Sequence, residues 1–258
     1  MAIYGGQRGI WVDRRRTAEL TRDGKGITIG LLHTGRSYPD DVSKEAMIYH
    51  YPETGVPGKD ASEVTATKTS HQLGLPVFAV IYPRPNSVVR DVRLGWVEDS
   101  NDDARTFLIS FGERKPEEYA PPIDDGADFS PIEPRKSHRA EVEVRTGQTR
   151  FRYAVFKRYG ARCAVCDLAV DMALDAAHIV IKGENGSDDP RNGLVLCATH
   201  HRLYDNGYFA IEPVTLKVVL KKEGTKADEL RISRSDLKHM KAFPHQDSLQ
   251  MRWHQWRD

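Results

Sequence analysis

The stretch NGLVLCATHHRLYDNGYF, residues 192–209, sets a cysteine, two adjacent histidines and an aspartate within nine positions. A packed apolar core has no use for these side chains, whereas metal chemistry uses all of them. Upstream, Cys163 and Cys166 form a C-x-x-C knuckle, and Cys197 and His200 form C-x-x-H. Two such knuckles supply the four N/S ligands that tetrahedral Zn²⁺ takes in a structural site. All three cysteines of the chain are then used. An odd number is poor material for a disulfide framework, and clustered cysteines of this kind more often hold metal. The segment between the knuckles is long, so the ion would tie two distant stretches together.

His201 is left over from that set. Successive helical residues point about 100° apart, so if His200 faces the zinc, His201 faces elsewhere. Asp205 follows four residues later on the same helical face, and the two could share a second metal ion.

The surrounding sequence divides into two textures. Up to Gly112 it reads mainly as short strands bounded by Gly, Pro or Asp: GITIGLLHTG, AMIYHYP, PVFAVIYP, VVRDVRLGWV and RTFLISFG. One segment, DASEVTATKTSHQLG, reads as a helix with Asp60 and Glu63 in capping-box positions and Gly74 as a stop. Several strands with one helix suggest a curved sheet or barrel. Residues 113–143 read as an acidic, proline-rich linker. From Glu113 to Glu133 there are seven acidic residues against two basic, and from Arg135 to Arg162 nine Lys/Arg against two acidic. The basic block could follow a phosphate backbone or be a solvated face.

A second domain is expected over residues 144–258. TRFRYAVFKRYG carries Phe151, Val155 and Tyr159 at helical spacing, with Gly160 as a stop. A hairpin-like MALDAAHIVI follows, then the knuckle segment, the strands YFAIEP and LKVVLKK, and short helices over SDLKHMKAF and SLQMRWHQWRD. No apolar run approaches the ~20 residues that span a bilayer. The segment MAIYGGQRGIWVDRRR does not resemble a signal peptide, so a cytoplasmic location is expected.

The order C-x-x-C, AHI, NGL-x-L-C-x-x-H-H, D-x-G resembles the HNH nucleases of the ββα-metal class. The resemblance covers roughly residues 145–258 and includes the lead-in GQTRFRYAVFKRYGARCAVC, similar to restriction-type members. The letters H, N and H fall on His178, Asn192 and His201. The family implies that His178 is the general base that activates water, that Asn192 orders the loop that orients it, and that His201 binds a catalytic Mg²⁺ or Mn²⁺. Many members carry an Asp or His directly before the base, where this chain has Ala177. Asp205 is then the first candidate for the second metal ligand, and Asp175 the weaker one.

A β-rich domain joined to an HNH domain also resembles modification-dependent restriction enzymes, in which an SRA-like (PUA-superfamily) reader flips a modified cytosine into a pocket. GRSYPDDVSKEAMIYHYPETG, then a helix and LGLPVFAVIYP, is similar to the SRA layout, although the Tyr-Asp-Gly signature of that family is absent. A flipped base needs a pocket that stacks on it and bonds its edge, and Tyr38, Asp40, Asp41, Tyr49 and Tyr51 are of the right types. Strand alternation sets Tyr49 and Tyr51 on one face and His50 on the other.

The expectation is therefore an α+β protein. Residues 1–112 form an SRA-like reader, 113–143 a linker, and 144–258 a zinc-stapled HNH endonuclease acting on double-stranded, modified (5-methyl- or 5-hydroxymethyl-) cytosine DNA. Cleavage of both strands needs two sites, so a homodimer is expected. The rivals are an HNH nuclease that reads an unmodified sequence, and a catalytically silent zinc-stabilised DNA-binding protein.

Overall fold

The computed structural model describes residues 9–34, 41–116, 126–133, 140–221 and 226–257, with the backbone alone described over 140–146. The chain forms two compact units, residues 1–119 and 120–258. The fold is mixed α+β, as expected.

The first unit is built on six strands. They are β1 (Ile10–Val12), β2 (Thr28–His33), β3 (Ala46–His50), β4 (Val77–Ile81), β5 (Asp91–Asn101) and β6 (Thr106–Phe111). A short helix α1 (Arg14–Thr17) follows β1, and the long helix α2 (Pro57–Gln72) lies between β3 and β4. The strands make one curled sheet in the order β1-β2-β4-β5-β6-β3. All pairs are antiparallel except β2 with β4. A parallel pair cannot be joined by a tight turn, and α2 lies in the crossover between them.

Strand β4 shows why the sheet has a core face. Val77, Ala79 and Ile81 are buried while Phe78 between them is exposed, the period of two that a pleated strand imposes. The inward residues join Met47, Val97, Phe107 and Ile109 in one apolar cluster. Helix α2 meets the sheet through hydroxyls as much as through hydrocarbon. Thr67 and Ser70 are fully buried. The Thr67 hydroxyl bonds that of Thr28 at 2.8 Å, and Ser70 donates to the Thr28 carbonyl at 3.0 Å. With every hydroxyl partnered, their burial carries little penalty.

The helix does not start with a capping box. Pro57 opens it, and Asp60 lies within its first turn, accepting from the Thr54 amide at 2.9 Å. Proline at the first helical position needs no amide partner, so the start shifts upstream. Gly74 ends the helix as expected, at φ +61°.

The second unit contains α3 (Ala140–Tyr159), β7 (Leu174–His178), β8 (Gly193–Cys197), α4 (Ala198–Asp205), β9 (Phe209–Ile211), β10 (Val218–Leu220) and α5 (Gln246–Arg257). β7 pairs antiparallel with β8, and β9 with β10. MALDAAHIVI is thus not a hairpin in itself: its strand pairs across a 14-residue loop with the knuckle strand. SDLKHMKAF forms turns rather than a helix, whereas the final segment does form α5. Phe151, Val155 and Tyr159 face the core of this unit, as their spacing implies.

The stretch expected to be a linker is not wholly one. Residues 126–133 belong to the second unit, where Ile132 makes a β-bridge to Gly186. Within it, the carbonyls of Ala127 and Asp128 accept from the buried Arg191, and the Glu133 carboxylate meets the half-buried Lys182. No helix among the described residues is long and apolar enough to cross a membrane.

Gly193 pairs with His178 across the β7–β8 ladder, and a methyl group at this position would crowd Val155 and Phe151 of α3. Gly193→Ala is expected to lower the stability of the second unit by about 1–3 kcal/mol through overpacking, read from denaturant unfolding. An unchanged midpoint would show that α3 does not pack this closely.

Candidate active site and metal centre

The knuckles converge. The ligand atoms of Cys163, Cys166, Cys197 and His200 all lie within 4.8 Å of one another. Among the described residues this is the one place where three or more such groups could hold a metal ion. Local structure explains the convergence. The Cys163 amide donates to the Leu168 carbonyl at 2.9 Å, closing the first knuckle. The Ala164 amide donates to Val195 at 2.8 Å, which ties that knuckle to β8. Cys197 ends β8 and caps α4, so His200 falls in the first turn of the helix.

The His200 ring is oriented from behind. Its Nε2–H donates to the Leu230 carbonyl at 2.9 Å, leaving the Nδ1 lone pair 3.0 Å from Cys197 Sγ and 3.5 Å from Cys163 Sγ. A backbone carbonyl holding the far nitrogen is how metal-binding histidines are fixed in one tautomer. Burial, with the neighbouring thiols Cys163 and Cys197, pushes the Cys166 thiol up to about 12. Clustered thiolates in such a place need a cation to ionise together. The donor set therefore fits a soft divalent ion.

His178 ends β7. Its Nε2 lies 3.0 Å from Asp188 Oδ1, and its ring stacks on Phe151 with centroids 3.7 Å apart and planes 10° apart. The carboxylate takes the Nε2–H, which leaves Nδ1 as the free acceptor. Burial would raise the Asp188 carboxyl, but hydrogen bonds from His178 and Lys182 outweigh it and hold the group below the usual carboxylate range. Lys182 Nζ reaches Asp188 Oδ2 at 2.7 Å. The helix leaves room for this carboxylate at Gly147, where a side chain would collide with it.

Asn192 is fully buried, and its side chain bonds the loop that follows His178. Its carboxamide brackets the Val180 peptide, accepting from the amide at 3.0 Å and donating to the carbonyl at 3.1 Å. It also donates to Ser187 at 2.9 Å. One side chain thereby holds both ends of the loop that follows His178.

His201 projects from α4 away from the thiols. Asp175 Oδ2 lies 3.2 Å from its Nδ1, and Asp205 Oδ2 lies 3.5 Å from its Nε2. The bond to Asp175 raises the His201 pKa against the opposing effect of burial, and the same bond lowers that of Asp175. Asp175, the weaker candidate on sequence, is thus the nearer partner. It lies two residues before Ala177, on the same strand face by the period of two. The carboxylates sit at opposite ring nitrogens, so an ion on one nitrogen would take the carboxylate beside it.

In the first unit, Asp41 is buried, with its Oδ2 2.9 Å from His50 Nε2. Tyr49 and Tyr51 face the core, only 7% and 8% exposed, and the Tyr51 hydroxyl donates to Asp102 at 2.8 Å. Neither tyrosine presents an open stacking face. Tyr38 and Asp40 lie outside the described residues. Asp188 and Lys182 escaped the sequence reading. The weak signal was their place between His178 and Asn192, in a loop where carboxylates are ordinarily solvated.

Residues 163–212 match the family model described as HNH endonuclease. The second unit thus carries an HNH endonuclease domain, and the interval holds the four thiol-cluster groups together with His178, Asn192, His201 and Asp205. Two solved structures resemble the chain. One is titled "Modification dependent TagI restriction endonuclease": it is 20% identical, covers 96% of this chain and 85% of that one, and has a TM-score of 0.37. The other is the "Type IV phosphorothioation-dependent restriction endonuclease ScoMcrA", 14% identical, covering 79% of this chain and 59% of that one, with a TM-score of 0.25. No curated protein matches the chain.

The purified chain is expected to carry zinc, measured by elemental analysis, and Cys197→Ser to lose it together with several degrees of Tm. A Cys197→Ser variant that retains both the metal and the melting temperature would show that the thiols do not hold an ion.

Proposed function

We propose that the chain is a metal-dependent HNH endodeoxyribonuclease that restricts modified DNA. The observation that carries the nuclease reading is the pairing of His178 with Asp188 inside an HNH segment. It leaves one imidazole nitrogen as a base at the end of a strand.

His178 Nδ1 accepts a proton from water as the water oxygen bonds to phosphorus and the bond from phosphorus to the leaving oxygen breaks. Asp188 holds the Nε2–H and stabilises the imidazolium that forms. Phe151 fixes the plane of the ring by stacking. Asn192 acts one step away, by keeping the loop that carries Asp188 closed. A divalent cation, Mg²⁺ or Mn²⁺, would be held by His201 with Asp175 or Asp205 and would supply charge stabilisation at the phosphate. Zinc at the thiol cluster would have a structural role only.

The reader role of the first unit rests on its sequence resemblance to the SRA layout, and a curled sheet with one long helix is compatible with it. On this reading the substrate is double-stranded DNA carrying 5-methyl- or 5-hydroxymethylcytosine. Base recognition would draw on Asp41 and on Tyr38 and Asp40 in the adjoining stretch, with Tyr49 and Tyr51 supporting the wall from within. Residues 1–112 would act as the reader, 113–143 as the connection and 144–258 as the nuclease. Two copies would be needed to cut both strands.

Matched DNAs with and without the modified base, incubated with Mg²⁺ or Mn²⁺, test both halves. Cutting confined to modified DNA, and slowed about 10²- to 10⁴-fold in His178→Ala, is the expected result. Equal cutting of both DNAs would retain the nuclease and discard the reader. No cutting with either ion would favour the silent DNA-binding rival that Ala177 suggests.

Gly147→Ala isolates the base. Alanine in a helix is stabilising by up to ~1 kcal/mol, yet here the methyl displaces the Asp188 carboxylate. Activity is expected to fall roughly 10- to 100-fold, as in Asp188→Asn. Full activity in both variants would remove Asp188 from the mechanism.

A further inference from the structure

The segment that joins the two units ends against the loop between β7 and β8. Residues 126–133 lie outside the interval matched to the HNH family, yet they grip this loop at its middle and at its far end. At the middle Ser187 donates its amide to Pro131 at 3.0 Å, and Glu133 donates its own to Asn185 at 2.8 Å. At the far end Arg191, 1% exposed and bidentate on Asp189, donates to the carbonyls of Ala127 at 2.9 Å and Asp128 at 3.1 Å. Phe129 stacks on His245, with centroids 4.0 Å apart, beneath the same guanidinium.

The Glu133 side chain goes further into the site. Its Oε1 accepts from the Asp188 amide at 2.9 Å and from the Ser187 hydroxyl at 3.4 Å, and its Oε2 faces Lys182 Nζ at 3.4 Å. Lys182 is shared, since it also reaches Asp188 Oδ2 at 2.7 Å and the Gly186 carbonyl at 3.1 Å. The loop turns back closely on its own start, since any side chain at Gly186 would collide with the Val180 carbonyl. Glu133 thus sets the Asp188 backbone directly and its carboxylate through Lys182. Asp188 in turn sets the His178 ring.

We propose that Glu133 is a positioning residue of the nuclease site, so that the connecting segment is a working part of the active centre and not a tether. This rests on His178 serving as the base, as proposed above. A residue that only strengthened the fold would reveal itself in Tm and zinc content. A residue that aims the base acts on kcat while leaving the KM for DNA alone. Glutamine keeps the oxygen that accepts from the Asp188 amide and loses the charge that faces Lys182, so it should restore most of the function that alanine removes.

The full chain is compared with its Glu133→Ala, Glu133→Gln and His178→Ala variants, with Mg²⁺ or Mn²⁺ and cleavable DNA. Glu133→Ala is expected to lose roughly 10- to 100-fold in kcat, with KM and zinc content unchanged, and Glu133→Gln to recover to within a few-fold of wild type. Alongside, ¹⁵N NMR of the His178 ring should show its Nε2–H bond present in wild type and in Glu133→Gln and weakened in Glu133→Ala. Wild-type kcat in Glu133→Ala, a loss confined to KM or Tm, or a defect that glutamine does not relieve would overturn the proposal. If the wild-type chain cuts nothing, the nuclease reading fails by itself. The ring spectra then decide Glu133: an unaltered Nε2–H signal in Glu133→Ala overturns its positioning role, and a weakened one upholds it.

Discussion

The second unit depends on bringing four ligand groups from two distant stretches to one buried point. Cys163, Cys197 and His200 are almost without solvent contact, and thiols in such a place repel one another once ionised. A cation would turn that repulsion into attraction and so join the first knuckle to the junction of β8 and α4. Everything chemical hangs from the junction. Because His200 faces the thiols, the helical turn sends His201 to another side, where Asp175 of β7 and Asp205 of α4 await it. The pairing of β7 with β8 then carries His178 to the opposite end of the same short ladder.

Loop closure is the second constraint. His178 stands at the end of a strand, and the loop that follows it carries the carboxylate that bonds its ring. That loop is held by Asn192 from inside and by residues 126–133 from outside, and Gly186 permits its close return to Val180. The polar groups are mutually satisfied: Asp188 receives from His178 and Lys182, Lys182 lies between two carboxylates, and Asp189 neutralises the buried Arg191. A network of this kind fixes one geometry because each member, left alone in a partly buried place, would be costly.

The first unit is organised differently. Its curled sheet buries one face beneath α2 through partnered hydroxyls, and Tyr49 and Tyr51 are spent on the core. Trp11, Phe78 and Val92 are exposed on strands β1, β4 and β5. The two units thus show separate solutions to packing, one stapled by ligands and one by a sheet and helix.

Much of the site could be read directly from the residue order. Knuckle spacing is a local property, since two residues between ligands place both on one side of a turn, and the helical angle separating His200 from His201 is equally local. The strands of the first unit and the stop at Gly74 follow from short-range alternation and from a positive φ that glycine adopts freely. What escaped was whatever depended on distant neighbours. The start of α2 moved to Pro57 because proline outranked the capping box. Asp188 and Glu133 resembled solvated acids, as loop carboxylates usually are. Only the folded loop brings one to His178 and the other to the Asp188 amide. The sequence alone therefore determined which groups could do the chemistry. Tertiary structure decided which carboxylate bonds His178 and which segment holds that carboxylate, because those contacts span 10 and 55 residues of chain and have no local pattern to announce them.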